Sequence, residues 1–247
     1  MYYFVSDIHL GAGDRAEERS VERRFVAWLD SVSADAKAIF LCGDIFDFWF
    51  EYGRVIPKGF VRTLGKFAEL SDRGVRLVYM AGNHDMWLGE YLAQECGVEI
   101  FFKPEVFELA GKRVHVAHGD NLNVRRDVML QFVNFVFRSS VVRWVFKWMI
   151  HPDLAMRFGQ WWSGASRKRH RRLPGHGTID GHGVKALVEY AQGVQRSQKC
   201  DYFIYGHLHQ SLSHSIDGAE VLFLCDWSEE PTVAILDDAG VMKLERI

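Results

Sequence analysis

A layered α/β domain with mixed sheets is the fold class that the sequence predicts, and three observations carry it. Strand-like and helix-like segments alternate from Tyr2 to Met80, as they do where parallel strands pair through helical crossovers. Five strand-like runs each end directly in a cluster of polar residues. The last segments of the chain are strand-like and separated by tight turn signals rather than helices, which suits antiparallel pairing.

Tyr2–Ser6, Ala38–Cys42, Val75–Met80, Arg113–Ala117 and Tyr202–Tyr205 are short runs rich in β-branched and aromatic residues, each reading as a buried strand. Glu17–Ser33 and Phe60–Asp72 read as helices between the first three. Val221–Leu224, Thr232–Leu236 and Met242–Arg246, set among Asp-Gly, Glu-Pro and Asp-Ala-Gly turns, predict a β-meander. With 247 residues, 48% hydrophobic and 25% charged, the chain predicts one domain with a core large enough to need neither disulfides nor a structural metal. The four cysteines are far apart with no C-x-x-C pair, so reduced thiols are expected. The start of the sequence runs straight into a strand and lacks signal-peptide features, which predicts a cytoplasmic protein.

Residues 125–172 break the pattern. They show no strand signal, and across 128–150, 16 of 23 residues are apolar, yet Arg138, Arg143 and Lys147 argue against a membrane span. At 100° per residue, Gln131, Asn134 and Arg138 share one face, while Ser140, Arg143 and Lys147 share roughly the opposite one. The change of phase at Ser139-Ser140 predicts two short amphipathic helices, followed by a third near His151–Arg167 bearing Trp161 and Trp162. The net charge of -2 conceals an asymmetry: residues 121–172 carry 11 Lys/Arg against 2 acids, a local +9, leaving -11 for the rest. Such a basic, apolar insertion beside an acidic remainder suits an anionic partner at one part and metal-binding carboxylates at the other.

The five polar clusters are Asp7-Ile8-His9, Gly43-Asp44-Ile45-Phe46-Asp47, Gly82-Asn83-His84-Asp85, His118-Gly119-Asp120 and Gly206-His207-Leu208-His209. In open α/β sheets, ligands collect outside the carboxyl ends of strands, where residues distant in sequence converge. A single Asp-x-His arises often by chance, whereas five oxygen- and nitrogen-bearing clusters in register do not. Asp, Asn and imidazole without thiolate suit Mn²⁺, Fe or Zn²⁺, and two cations about 3.5 to 4 Å apart need a bridging carboxylate, for which Asp44 is the natural candidate. A nearby imidazole that holds no metal could protonate a departing group.

In order and spacing these clusters resemble the calcineurin-like metallophosphoesterases, whose pattern D-x-H, G-D-x-x-D, G-N-H-[DE], H-G and G-H-x-H is matched at all five places. The resemblance implies an α-β-β-α sandwich of mixed sheets with residues 125–172 as a helical cap. It also implies two divalent metals, most readily Mn²⁺, one held by Asp7, His9, Asp44 and His209 and the other by Asp44, Asn83, His118 and His207. Asn83 and His84 would then belong to the catalytic group, with His84 as general acid and Asp85 orienting it, and Asp47 and Asp120 supporting from behind.

The Gly43–Trp49 stretch, the insertion after His118-Gly119-Asp120 and the region from His151 to Arg167 together resemble the UDP-2,3-diacylglucosamine hydrolases of lipid A biosynthesis. That likeness implies a nucleotide-sugar lipid as substrate, split to UMP and a diacylglucosamine 1-phosphate. Its contacts would be Asn83, His84, Asp127, Ser166, Arg167, Lys168 and His207. Contact with the cytoplasmic face of the inner membrane would follow from a basic amphipathic cap, and no nucleic acid is expected. Two departures stand out: His84 occupies the place of the Arg carried by the best-known members, and Arg125-Arg126-Asp127 stands where an acidic pair is expected. A nuclease, using Arg167–Arg172 as a phosphate track, and a non-catalytic lipid- or protein-binding scaffold are the alternative readings.

Overall fold

The computed structural model describes residues 1–120, 122, 139–170, 181–228 and 231–247. Two sheets form the centre. The first has the order β11-β10-β1-β2-β3-β4, built from β1 (Tyr2–Val5), β2 (Ala38–Leu41), β3 (Arg76–Met80), β4 (Val98–Phe101), β10 (Thr232–Leu236) and β11 (Met242–Arg246). Strands β1 to β4 pair in parallel, whereas β10 runs antiparallel to both β1 and β11. The second has the order β5-β6-β7-β9-β8, from β5 (Glu105–Leu109), β6 (Lys112–Ala117), β7 (Tyr202–Tyr205), β8 (Leu212–Ile216) and β9 (Ala219–Phe223). Here β6, β7 and β9 are parallel, and β5 and β8 are antiparallel edges.

The period of two along each strand divides the side chains between layers. Tyr3, Val5, Ile39 and Leu41 pack with Phe25, Trp28 and Leu29 of α1 (Arg15–Val32), Phe67 and Leu70 of α2 (Val61–Asp72) and Leu92 of α3 (Tyr91–Cys96). Their neighbours Phe4, Ala38 and Phe40 point the other way and meet Val114, Val116, Ile204 and Leu222 between the sheets. On the outer face of the second sheet, Phe203, Tyr205 and Val221 pack against Val184, Leu187 and Ala191 of the helix His182–Gln198. The predicted α-β-β-α layering of mixed sheets is the observed one. None of the four cysteines forms a disulfide, and all four are buried.

One expectation for the C-terminal strands is corrected. The three tail strands do not form a single meander, because β9 belongs to the second sheet, parallel to β7, while β10 and β11 complete the first. The chain turns back from β8 to β9 at Asp217-Gly218, both with positive φ, and then crosses between the sheets through Leu224–Trp227.

Within the insertion, α4 (Ser140–Met149) begins where the polar face changes side, with the Ser139 hydroxyl accepting the Val142 N–H. It is followed by α5 (Pro152–His170), so the helix His182–Gln198 is α6. The segment expected to form the preceding helix lies outside the described residues. Both helices pack on the loops after β2 and β3: Phe146 lies 5.2 and 5.0 Å, ring to ring, from Phe50 and Trp87, and the Tyr52 hydroxyl donates to the Ile150 carbonyl. Among the described residues no helix is long and apolar enough to cross a membrane.

Candidate metal centre

The five clusters follow β1, β2, β3, β6 and β7 at their carboxyl ends, and the structure brings them together at one end of the two sheets. Asp7, His9, Asp44, His84, His118 and His209 are all buried. Among the described residues, three groups each gather potential ligand atoms within 4.8 Å: Asp7, His9 and His209; His9, Asp44 and His84; and Asp44, His118 and His207. Asp44 sits in two of them. Its Oδ2 lies 3.2 Å from His118 Nε2 and 3.7 Å from His84 Nε2, while Asp7 Oδ1 lies 3.3 Å from His209 Nε2.

Backbone geometry is unusual at these residues. Asp7, His9, Asp44, His207 and His209 all have positive φ, between 49° and 67°, five of the nine non-glycine residues that do among the described residues. Left-handed conformations of this kind cost of order 1 to 3 kcal/mol each and persist where the surrounding structure over-determines them, as at functional sites. The ladder that continues beyond the strands does this here. Asp7 N–H donates to the Gly43 carbonyl, His9 N–H to the Asp44 carbonyl and Gly206 N–H to the His118 carbonyl. Gly82 is required for a different reason, because a Cβ there would stand 2.2 Å from Asp44 Oδ1.

Divalent cations fit this donor set. Among the described residues, the buried Asp7 Oδ1, Asn83 Oδ1 and His118 Nε2 find no partner in hydrogen-bonding geometry, an arrangement that costs free energy unless something else satisfies the atoms. His9 Nε2 and His209 Nε2 face each other at 3.3 Å, two imidazole nitrogens converging on one point. Oxygen and imidazole donors without thiolate match Mn²⁺, Fe or Zn²⁺ chemistry.

The electrostatics is that of opposed charges in a buried place. Burial works to raise the Asp44 carboxyl, but the charges of His118 and His84 prevail and hold it well below the usual carboxylate range. Burial lowers His118, yet the Asp44 carboxylate lifts it well above the ordinary imidazole value. His9 is pushed down to about 3 by burial and by His84. His209, although buried, is lifted to about 10 by the carboxylates of Asp226 and Asp7.

Behind these groups stand side chains that hold them. His118 Nδ1 faces the Cys42 carbonyl at 3.0 Å, which fixes the proton on Nδ1 and leaves Nε2 directed at Asp44. Asp47 Oδ1 lies 3.5 Å from His9 Nδ1 and accepts the Ser163 hydroxyl at 2.5 Å. The expectation that Asp85 orients His84 is corrected. Asp85 accepts from Ile45 N–H, Gly82 N–H and the Tyr79 hydroxyl, whereas His84 Nδ1 faces the Asp47 carbonyl at 2.9 Å and the Ser163 hydroxyl at 2.7 Å. The structural reason is that the Asp85 side chain turns back beneath its own loop toward β2.

Two contributors are absent from the sequence reading. Asp226 Oδ2 lies 3.0 Å from His209 Nδ1, and the signal for it was available, since Asp226 closely follows β9 at the carboxyl end of another parallel strand. Ser163 had no such signal, being one serine on a helix far along the chain. Of the expected substrate contacts, Asn83, His84 and His207 lie at this centre. Asp127 lies outside the described residues, as do the side chains of Ser166, Arg167 and Lys168, which fall near the end of α5.

Comparison with known proteins agrees with this geometry. The family model of the calcineurin-like phosphoesterases matches residues 2–211. A UDP-2,3-diacylglucosamine hydrolase from Porphyromonas gingivalis is 36% identical over 246 residues, covering 95% of this chain and 93% of the relative. One from Aeromonas hydrophila is 30% identical over 252 residues, covering 98% and 97%. An archaeal phosphodiesterase of solved structure superposes with a TM-score of 0.50 at 14% identity over 100% of this chain and 99% of its own, a likeness of fold alone. With a family model spanning all five ligand clusters and relatives similar over nearly the whole length, the chain belongs to the calcineurin-like phosphoesterase family.

Proposed function

We propose that this protein is a metal-dependent hydrolase that splits UDP-2,3-diacylglucosamine into UMP and 2,3-diacylglucosamine 1-phosphate. The observation that carries the reading is similarity over 95% of the chain, including the insertion, to a relative named for that activity. Asp7, His9, Asp44 and His209 would hold one divalent cation, and Asp44, Asn83, His118 and His207 the other, most readily Mn²⁺. Bound there, two such ions would polarise the scissile phosphoryl group and make water nucleophilic near neutral pH. The groups of the chain do the rest. Asp226 and Asp47 orient His209 and His9, and the Asp44 carboxylate keeps neighbouring imidazoles in place. As the water oxygen bonds to the UMP-side phosphorus and loses a proton to solvent, the bond to the bridging oxygen breaks, and His84 Nε2 gives that oxygen a proton that the imidazole then regains from solvent.

Residues 125–172 act in this reading as a cap over the centre. In support, α4 and α5 rest on the loops carrying Asp47 and His84, and their outer face presents Trp144, Trp148, Phe158 and Trp161. Arg143, Lys147 and Arg157 accompany those rings, a combination suited to acyl chains and an anionic membrane surface on the cytoplasmic side. The test is hydrolysis of the diacylated UDP-glucosamine in ¹⁸O-water by the manganese-loaded protein. Labelled UMP is the expected product; label confined to the lipid phosphate would reverse the direction of attack, and no UMP at all would remove the substrate.

A further inference from the structure

We propose that Ser163 is a positioning residue for His84, so that α5 sets the orientation of the proton donor from outside the five ligand clusters. The proposal rests on His84 acting as that donor.

The proton on the His84 ring is located by its neighbours. The Asp47 carbonyl 2.9 Å from Nδ1 can only accept, so Nδ1 carries hydrogen. The Ser163 oxygen, 2.7 Å from the same nitrogen, must then accept as well, and its own hydrogen goes to Asp47 Oδ1 at 2.5 Å. His84 is thereby gripped at Nδ1 by a backbone carbonyl and a hydroxyl, and its Nε2 is left facing Asp44 and the metal centre at 3.7 Å. One serine thus ties the imidazole to a carboxylate that also stands behind His9.

The sequence of α5 is arranged so that this serine can reach. Ala155, Gly159 and Ser163 recur every four residues, which places them on one face of the helix, and all three are buried. The large side chains Leu154, Phe158, Trp161 and Trp162 are exposed instead, the reverse of an ordinary amphipathic helix. At Gly159 the reason is contact distance: a Cβ there would stand 2.3 Å from the Phe48 ring. Any side chain would push α5 outward and draw the hydroxyl at Ser163, one turn later, away from His84. The small-residue face fixes the approach, and the hydroxyl uses it.

The test is a double-mutant cycle between Ser163→Ala and His84→Ala in the manganese-loaded protein, with metal content and melting temperature measured for each. Ser163→Ala is expected to lower kcat roughly tenfold, the scale of one hydrogen bond to an ionised group, with KM and metal content unchanged. In the His84→Ala background the same change should have less than about a twofold effect, since two groups acting as a unit are not additive. Gly159→Ala, which leaves the hydroxyl in place but displaces the helix, should copy the loss in kcat. Equal losses in both backgrounds, or a rise in KM alone, would overturn the proposal, the latter by making Ser163 a substrate contact. Measured in parallel on diphenyl phosphate, whose phenolate leaving group needs a proton, the cycle decides the role of Ser163 even if no UMP is released from the lipid substrate.

Discussion

Asp85 accepts the backbone N–H of Ile45 at 2.9 Å, a bond that crosses from the loop after β3 to the loop after β2. The same oxygen, Oδ2, accepts the Tyr79 hydroxyl at 2.5 Å, and Oδ1 accepts Gly82 N–H at 2.7 Å. One buried carboxylate therefore sets the spacing between Asp44 and Asn83, the two side chains that flank those backbone groups. Burial and the Asp44 charge push it up to about 6, so its ionised form depends on these three donors. Asp85→Asn keeps the volume but offers one acceptor where two are used. It should cost about 1 to 3 kcal/mol of stability and lower metal occupancy without touching a ligand. Melting curves with and without added Mn²⁺ check this, and a variant with wild-type melting and full metal would refute the bridging role.

Asp44 is shared between two of the three ligand groups, and His84 belongs to one of them. Asp44→Ala should abolish turnover and reduce the bound metal, whereas His84→Ala should lose rate and keep both ions. Elemental analysis of the two purified variants distinguishes them. A His84→Ala protein short of one metal equivalent would make His84 a ligand rather than a proton donor.

The legibility of this site in the sequence follows from the strand-end rule. Residues that lie immediately after a parallel strand, Asp7, Asp44, Asn83, His118 and His209, could be found because a single topological principle places them all. Asp226 obeyed the same rule but stood alone, with neither histidine nor glycine beside it to mark a cluster. Ser163 was illegible for a physical reason. Its role depends on how closely one helix approaches a loop, and that is settled by Gly159 meeting Phe48, a contact between residues 111 positions apart. Helix α5 misleads in the same way, since its tryptophans suggest a buried face and its alanine, glycine and serine form the actual one. In the fold, β8 (Leu-Ser-His-Ser-Ile) carries too little apolar character to announce an edge strand, and the sheet that each tail strand joins is a matter of tertiary pairing.

His115 gives a prediction about pH. It lies buried on β6 against the rings of Tyr190, Phe203 and Tyr205, and burial lowers its value to about 4. The unfolded chain takes up a proton here near pH 6.5, while the folded chain refuses it until about 4. Stability is therefore whole above 6.5 and is lost as pH falls through this window, by up to about 3 kcal/mol. His115→Phe should flatten the fall in melting temperature between pH 6.5 and 4 relative to wild type. Parallel curves for the two proteins would show that His115 contributes none of the acid sensitivity.

The outer face of α4 separates a role in binding from a role in folding. Trp144 and Trp148 are 60% and 76% exposed with ring centroids 6.1 Å apart, whereas Phe146 on the same helix packs on Phe50 and Trp87. Phe132, Phe135 and Val136, apolar residues that precede α4 in the sequence, lie outside the described residues. Because Trp144 and Trp148 bury so little in the folded chain, replacing both with serine should change stability by no more than about 0.5 kcal/mol. If the two rings meet acyl chains or the lipid surface, KM for UDP-2,3-diacylglucosamine in anionic vesicles should rise severalfold, and the rate on diphenyl phosphate should stay at the wild-type level. Phe146→Ala should behave differently: it loosens the loops after β2 and β3, so both activities and the melting temperature should fall together. The decisive measurement is the ratio of kcat/KM on the two substrates in each variant. A double tryptophan variant with an unchanged ratio would remove these rings from substrate capture, whatever the rest of the insertion does.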